Sequence, residues 1–186
     1  MKTINDILYS LTNVSHLPRI SRKFMAWING YDHQKYWKRR SVVVDPSSRA
    51  GTLLKMYYLM WIKRVDARHC CSFGTSYNSG SQFVAPPLLP HGPNGIICGH
   101  DAKIGKNVTI FHQVTIAHGN VVIGDNTELG AGSKILPNVT IGKYCHVGAN
   151  AVVVEDMPDY STCILTKPRI IIKTPYNASE GSEGKD

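Results

Sequence analysis

Apolar residues recur at intervals of six from residue 98 to residue 153. The interval fits neither the 3.6-residue period of a helix face nor the two-residue period of a strand. One inserted residue, between Ile116 and Ile123, interrupts it. The members of this first inward set are Cys98, Ile104, Ile110, Ile116, Ile123, Leu129, Ile135, Ile141, Val147 and Val153.

A second inward set, mostly small or β-branched, follows four positions after the first. It consists of Ala102, Val108, Val114, Thr127, Ser133, Val139, Cys145, Ala151 and Met157. Short strands separated by tight corners account for both sets, because the larger residue fills the interior and the smaller one fits the turn. Three such strands form a triangular coil of about eighteen residues, and stacked coils bury one another's faces. The pattern predicts a mainly β, parallel solenoid.

Glycines mark the corners of this predicted solenoid, because a residue without Cβ turns at no steric cost. They are Gly99, Gly105, Gly124, Gly130, Gly142 and Gly148. A β-sandwich of short strands would instead show strict alternation, with turn signals every 8 to 12 residues. The regular repeats run from about residue 96 to residue 158.

The flanking segments carry a different pattern. Candidate helices lie at 3–13, 16–29, 33–40 and 49–66. Ser47 and Ser48 offer an N-cap for the last helix, which we expect to pack on the end of the solenoid. Its apolar residues are Leu53, Tyr57, Met60, Ile62 and Val65. The predicted organisation is a helical region at 1–68, a solenoid domain at 69–173, closed by an extended segment, and a flexible polar tail at 174–186.

The net charge of +8 is concentrated before the repeats. Residues 1–70 hold thirteen Lys and Arg against four Asp and Glu, a balance of +9. Such a surface suits an anionic membrane or an anionic glycan, although a solvated helix face explains it equally simply. No recognition motif accompanies the charge, which argues against nucleic acid.

The cysteines and apolar runs bear on the compartment. Five cysteines, an odd number, show neither metal-ligand spacing nor a disulfide framework. The longest apolar run, at 56–62, is far too short to span a bilayer, and the first residues lack the apolar stretch of a signal peptide. We therefore expect a cytoplasmic protein, with any membrane contact peripheral at the inner face.

His91 is the first candidate for chemistry. It lies in the segment PHGPNGII at 90–97, where no bulky neighbour would prevent its ring nitrogens from meeting a substrate. An imidazole that titrates near neutrality suits general-base work on a hydroxyl. His100, His112, His118 and His146 also lie in the repeat region.

Residues 91–173, nearly half the chain, resemble the hexapeptide-repeat acyltransferases, in particular the serine acetyltransferase-like branch with its bacterial polysaccharide O-acetyltransferases. The matching segments are HGPNGII at 91–97, AKIGKNVTI at 102–110, HQVTIAHG at 112–119, IGDNTELGAGSKIL at 123–136 and VGANAVVVEDMP at 147–158. The resemblance implies a left-handed parallel β-helix, assembled as a homotrimer. It also implies acetyl-CoA between neighbouring subunits and no metal. Acetyl then passes directly to an acceptor hydroxyl.

The same resemblance suggests roles for individual residues. His91 takes the position of the family's catalytic base. His118 is a second catalytic candidate, as an acceptor-binding group or as the base itself. His112 and Asn94 are candidates for substrate binding, with a subunit-interface role the alternative for His112. The candidates for cofactor binding are Gly130, Ala131, Gly132, Lys134, Gly148, Ala149, Lys167 and Arg169.

One departure from the family bears on the acceptor. Serine acetyltransferases carry an Asp fifteen residues ahead of the catalytic histidine, where this chain has Ser76. That difference, with the short helical region, favours O-acetylation of a sugar hydroxyl in a capsular, exopolysaccharide or related glycan precursor. The alternatives are serine O-acetylation, a non-catalytic β-helix module, and a zinc carbonic anhydrase of the γ type, which uses interface histidines.

Overall fold

The computed structural model describes residue 26 and residues 28–166. Two long helices come first, α1 at His33–Val44 and α2 at Thr52–Arg68. Strands of two residues each then follow at short intervals. They are β1 Thr75–Ser76, β2 Ser79–Gly80, β3 Gln82–Phe83, β4 Ile97–Cys98, β5 Lys103–Ile104, β6 Thr109–Ile110, β7 Thr115–Ile116, β8 Val122–Ile123, β9 Glu128–Leu129, β10 Lys134–Ile135, β11 Thr140–Ile141, β12 His146–Val147, β13 Val152–Val153 and β14 Thr162–Cys163.

The strands form a parallel β-helix with three faces. Face 1 has the order β4-β7-β10-β13, face 2 the order β3-β5-β8-β11, and face 3 the order β6-β9-β12-β14. Strands β1 and β2 form a separate antiparallel hairpin before the first coil. The chain visits faces 1, 2 and 3 in turn, so every corner lies above the equivalent corner of the preceding coil. The predicted mainly β, parallel solenoid is confirmed.

Both inward sets occupy the interior. Every member of the first set is at most 3% exposed, and the second set is buried as well. Pairing joins residues eighteen apart, as in Ile97 with Thr115, and nineteen apart where the inserted residue intervenes, as in Thr115 with Lys134. The repeat period thus predicted the register of the coils as well as the fold.

The corners turn by a different device from the one expected. At the repeating corner glycines the backbone is not left-handed. At all of them except Gly148, a Cβ atom would lie less than 3.0 Å from an atom of the next coil. A Cβ on Gly124 would stand 2.6 Å from the carbonyl carbon of Gly142. The left-handed residues lie two positions after most of these glycines and at the corresponding place in corners without one, and they are mostly asparagines, which tolerate φ values of 53 to 60°. These asparagines are Asn107, Asn120, Asn126, Asn138 and Asn150.

Helix α1 covers the start of the β-helix. Its Trp37 ring packs edge-on against Phe73 and Phe83. Arg40, only 3% exposed, donates hydrogen bonds to the carbonyl oxygens of Phe73 and Ser81 at 2.8 and 2.7 Å. The second helix, α2, was expected on the end of the solenoid; it packs against α1 and also contacts the β1–β2 hairpin, where Nζ of Lys55 donates to Oδ1 of Asn78 at 2.7 Å.

Helix α2 also differs from its prediction in its cap and its apolar face. Gly51 is the N-cap and makes no side-chain hydrogen bond, while Ser47 donates to Asp45. Ile62 and Val65 are buried as expected. The other three residues of the predicted face are exposed: Leu53 by 87%, Tyr57 by 57% and Met60 by 69%.

Several predicted segments lie outside the described residues. They are the helix at 3–13, nearly all of the helix at 16–29, and the chain from residue 167 onward. The domain boundaries at 68 and 173 therefore stay predictions. Within the part of the chain that the structure describes, no helix combines the length and apolarity needed to cross a membrane.

Because successive coils approach closely at the corner glycines, a side chain at such a position should lower the stability of the fold. Gly124→Ala places a methyl group 2.6 Å from backbone atoms of Gly142, so the coils must separate locally. We expect a loss of about 1 to 3 kcal/mol in the free energy of unfolding, measured by denaturant titration at fixed protein concentration. Gly51→Ala is the control, because no atom lies within 4 Å of its added Cβ. Equal stability of the two variants would contradict this account of the corners.

Candidate active site

Most of the predicted site residues share one corner column, between face 3 and face 1, which we call the His91 corner. Backbone hydrogen bonds stack its successive turns. Gln113 donates to the carbonyl of Asn94, Gly132 to that of His112, and Asn150 to that of Ala131. His91, His112 and the small residues at 130–132 and 148–149 therefore lie along one edge of the β-helix.

His91 is exposed and contacts two residues of the next coil. Its Nδ1 atom lies 2.9 Å from Nδ1 of His112, a hydrogen bond in which one ring donates and the other accepts. The edge of its ring meets Phe111, with centroids 5.5 Å apart. The structure thus unites two histidines that the sequence analysis treated separately, and it leaves Nε2 of His91 free of described partners.

The loop that carries His91 is tied to the N-terminal helices. The side-chain amide of Asn94 donates to the carbonyl of His91 at 3.0 Å, and its oxygen accepts from Nδ1 of His69 at 2.9 Å. His69 is the C-cap residue of α2. Asn94, predicted to bind substrate, therefore has both polar ends engaged within the chain. His69 was missed, because no repeat or motif connects it with the loop.

The candidate cofactor residues leave the His91 corner open further along the column. Gly130 is buried, Ala131 and Gly132 are half-buried, and Ala149 is exposed with only a methyl side chain. Lys134 stands beside them on β10, with Nζ 3.4 Å from the carbonyl of Gly132. An edge without bulky side chains, with the ammonium group of Lys134 beside it, fits a narrow, anionic ligand such as CoA. Gly148 lies in the same column, while Lys167 and Arg169 lie outside the described residues.

His118 occupies the other edge of face 1, the His118 corner. Its ring is 73% exposed, and its Nδ1 lies 2.9 Å from Oδ1 of Asp101. Asp101 also accepts hydrogen bonds from the backbone N–H groups of Asn120 at 2.8 Å and Gly119 at 3.0 Å. These hydrogen bonds, that of Asn120 foremost, lower the pKa of Asp101. The carboxylate holds the imidazole with Nε2 facing outward.

Asp101 was missed by the sequence analysis, although a signal existed. It lies one coil before the corner with the inserted residue, eighteen positions from Gly119. His100 shares this corner and contacts Ser79 through Nε2 at 3.1 Å.

Within one chain, His118 and His91 are on opposite edges of face 1 and cannot act on the same atom. Among the described residues, no three His, Cys, Asp or Glu side chains gather as a metal site.

Comparison with known proteins shows which class of protein the chain resembles. A family model described as bacterial transferase hexapeptide (six repeats) matches residues 120–154. The serine acetyltransferase of Staphylococcus xylosus is 36% identical over 98 residues, which cover 49% of this chain and 45% of that protein. The resemblance to the hexapeptide-repeat acyltransferases, with their left-handed β-helix, is thus confirmed.

Solved structures agree with this class. The serine acetyltransferase of Neisseria gonorrhoeae superposes with a TM-score of 0.53 at 28% identity, over 76% of this chain and 55% of that one. A serine acetyltransferase in complex with CoA gives a TM-score of 0.55 at 24% identity, over 69% of this chain and 50% of that one, and shows the common fold. The chain spans about half the length of the relatives it matches. These relatives favour serine O-acetylation, our alternative, over the sugar O-acetylation that we predicted.

The Asp101 contact predicts a pH-dependent contribution to stability. Because the pKa of Asp101 is lowered in the folded protein, its carboxylate stabilises the fold above the unfolded value of about 3.9, and this contribution fades as the pH falls through the folded value. Asp101→Asn should therefore lower the thermal midpoint at pH 7, with a smaller difference from the parent protein at pH 3.5. Glu155→Gln, at an exposed position, is the control. A difference that does not change with pH would contradict the assignment.

Proposed function

We propose that the chain is an acetyl-CoA-dependent O-acetyltransferase in which His91 is the general base. The observation that supports this most is an exposed imidazole whose Nδ1 is hydrogen-bonded and whose Nε2 is open, at the edge that also carries the small residues and Lys134. The similarity to serine acetyltransferases, one of them solved with CoA, supports the same reaction.

The reaction is a direct transfer that needs one proton carrier. The acceptor oxygen attacks the thioester carbonyl carbon while its proton passes to Nε2 of His91. The developing oxyanion takes a hydrogen bond from a backbone N–H at the corner. The C–S bond then breaks, the sulfur receives the proton from His91, and the products are the acetyl ester and CoA with a free thiol.

The complete site requires a second protomer in this proposal. The resemblance implies a homotrimer in which acetyl-CoA lies between neighbours. His91 and His118 flank face 1 from opposite edges, so the His91 corner of one protomer can meet the Asp101–His118 pair of the next only across such an interface. His118 then orients the acceptor. The location in the cytoplasm, and a peripheral contact of the basic N-terminal region with an anionic membrane or glycan, remain predictions.

Serine is the first acceptor to test, because the relatives are serine acetyltransferases. One observation favours a sugar hydroxyl as the second candidate. Ser76, in the β1–β2 hairpin, stands where that family carries an Asp that helps to hold serine. Among the described histidines, only His118 and His146 lie within 4 Å of a carboxylate, so His91 has no such partner there. A sugar hydroxyl has no ammonium group that needs such a carboxylate.

Removal of the proposed base tests the reaction itself. His91→Ala should lower turnover of acetyl-CoA by about 10² to 10⁴-fold, measured as release of free CoA thiol, because no other group takes the acceptor proton. His146→Ala, which removes an exposed imidazole on face 3, should leave turnover unchanged. Light scattering checks that both variants keep the parent assembly. Near-normal turnover of His91→Ala together with inactive His118→Ala would place the base at His118.

The identity of the acceptor is tested by comparing classes of substrate one at a time. Serine, free sugars, nucleotide sugars and oligosaccharides are each supplied with acetyl-CoA, and kcat/KM is measured for each. With serine as the acceptor, we expect kcat/KM for serine to exceed that for every sugar by at least about tenfold, or about 1.4 kcal/mol of transition-state binding. The reverse order would assign the enzyme to glycan acetylation.

A further inference from the structure

The contact between His91 and His112 joins two imidazole rings, each of which can donate or accept a hydrogen bond. Their Nδ1 atoms are 2.9 Å apart and their ring centroids 5.0 Å apart, although the residues are 21 positions apart in the chain. A neutral imidazole carries one N–H, so only one of these Nδ1 atoms holds the proton of the hydrogen bond. The direction of this bond decides which ring has a free lone pair at Nε2.

A histidine acts as a base through Nε2 only when its proton lies on Nδ1. A hydrogen-bond acceptor at Nδ1 selects that tautomer and holds the ring in place. His118 has a carboxylate in this role, but His91 has none among the described residues. The acceptor that the structure offers to His91 is Nδ1 of His112.

We propose that His112 is a positioning residue, whose unprotonated Nδ1 accepts the hydrogen bond from Nδ1–H of His91 and so keeps Nε2 of His91 ready to take the acceptor proton. This inference rests on the proposed function, since it concerns the same base. It replaces substrate binding, the role first predicted for His112. The backbone fixes His112 from the next coil, because Gly132 donates to its carbonyl at 3.0 Å.

Exposure indicates which of the two rings acts as the base, and the base must be the donor at Nδ1. His91 is exposed, whereas His112 is half-buried between coils, so the Nε2 atom that a substrate reaches is that of His91. The other groups packed around His91 are the ring of Phe111 and the amide of Asn94, behind which lies His69. When His91 takes up the acceptor proton, its charge therefore rests against a neutral imidazole acceptor.

Two substitutions at one position separate acceptance from packing. In His112→Asn, the side-chain oxygen lies close to where Nδ1 of histidine lies, so the acceptor is kept. In His112→Phe, the ring that packs on His91 is kept and the acceptor is lost. We expect His112→Asn to retain kcat within about fivefold and His112→Phe to lose at least about 10²-fold in kcat, with KM for acetyl-CoA within about twofold in both.

A spectroscopic measurement tests the hydrogen bond without reference to activity. In protein labelled with ¹⁵N-histidine, ring nitrogen shifts report which nitrogen of His91 is protonated, and His91→Gln assigns its signals. We expect Nδ1–H for His91 in the parent protein and in His112→Asn, and Nε2–H in His112→Phe. Thermal unfolding and light scattering confirm that each variant is folded and assembled.

The outcomes distinguish this inference from the proposed function. Nε2–H on His91 in the parent protein overturns the inference at any level of activity. Equal kcat for the Asn and Phe variants, whether both are active or both inactive, also overturns it, because acceptance at Nδ1 then makes no difference. If the parent protein turns over no acetyl-CoA with any acceptor, the proposed function fails. The positioning role fails with it, and the shifts still show how the two rings share their proton.

Discussion

Hydrogen bonding between successive coils is the constraint on which the rest of this structure depends. On each face, the two inner strands pair with the strands before and after them, as β7 does with β4 and β10. This register stacks every inward residue on its equivalent and every corner on the corner one coil away. The active-site candidates are brought together by that stacking alone, since His91 and His112 share no element and meet only through their corner column.

The six-residue period made the coils predictable, because each of its members is buried and one register satisfies all of them. The site was less predictable. His91 and His112 are separated by 21 residues instead of 18, since the first coil is irregular, so no spacing rule would have paired them. Asp101 lies at a regular interval and could have been found. His69 could not, because its contact with Asn94 depends on how the helices pack.

The N-terminal helices show where amphipathic patterns stop being informative. Helix α2 has apolar residues on more than one side, and the pattern does not say which side meets a partner. Shape and hydrogen bonding favour α1 instead, where Arg40 donates to the carbonyl oxygens of Phe73 and Ser81 and to the hydroxyl oxygens of Thr75 and Ser81. Arginine keeps its charge even when buried, so this junction does not depend on the protonation of any group.

The inserted residue at the corner between β7 and β8 has a wider meaning for how such a protein diversifies. The strands on either side keep their full pairing with their neighbours despite the extra residue. The length of the turn at a corner can therefore change while the strand pairing on the faces stays the same. An evolving or engineered relative could reshape the surface around His118 by lengthening this turn, while the pairing of the strands on either side stays as it is.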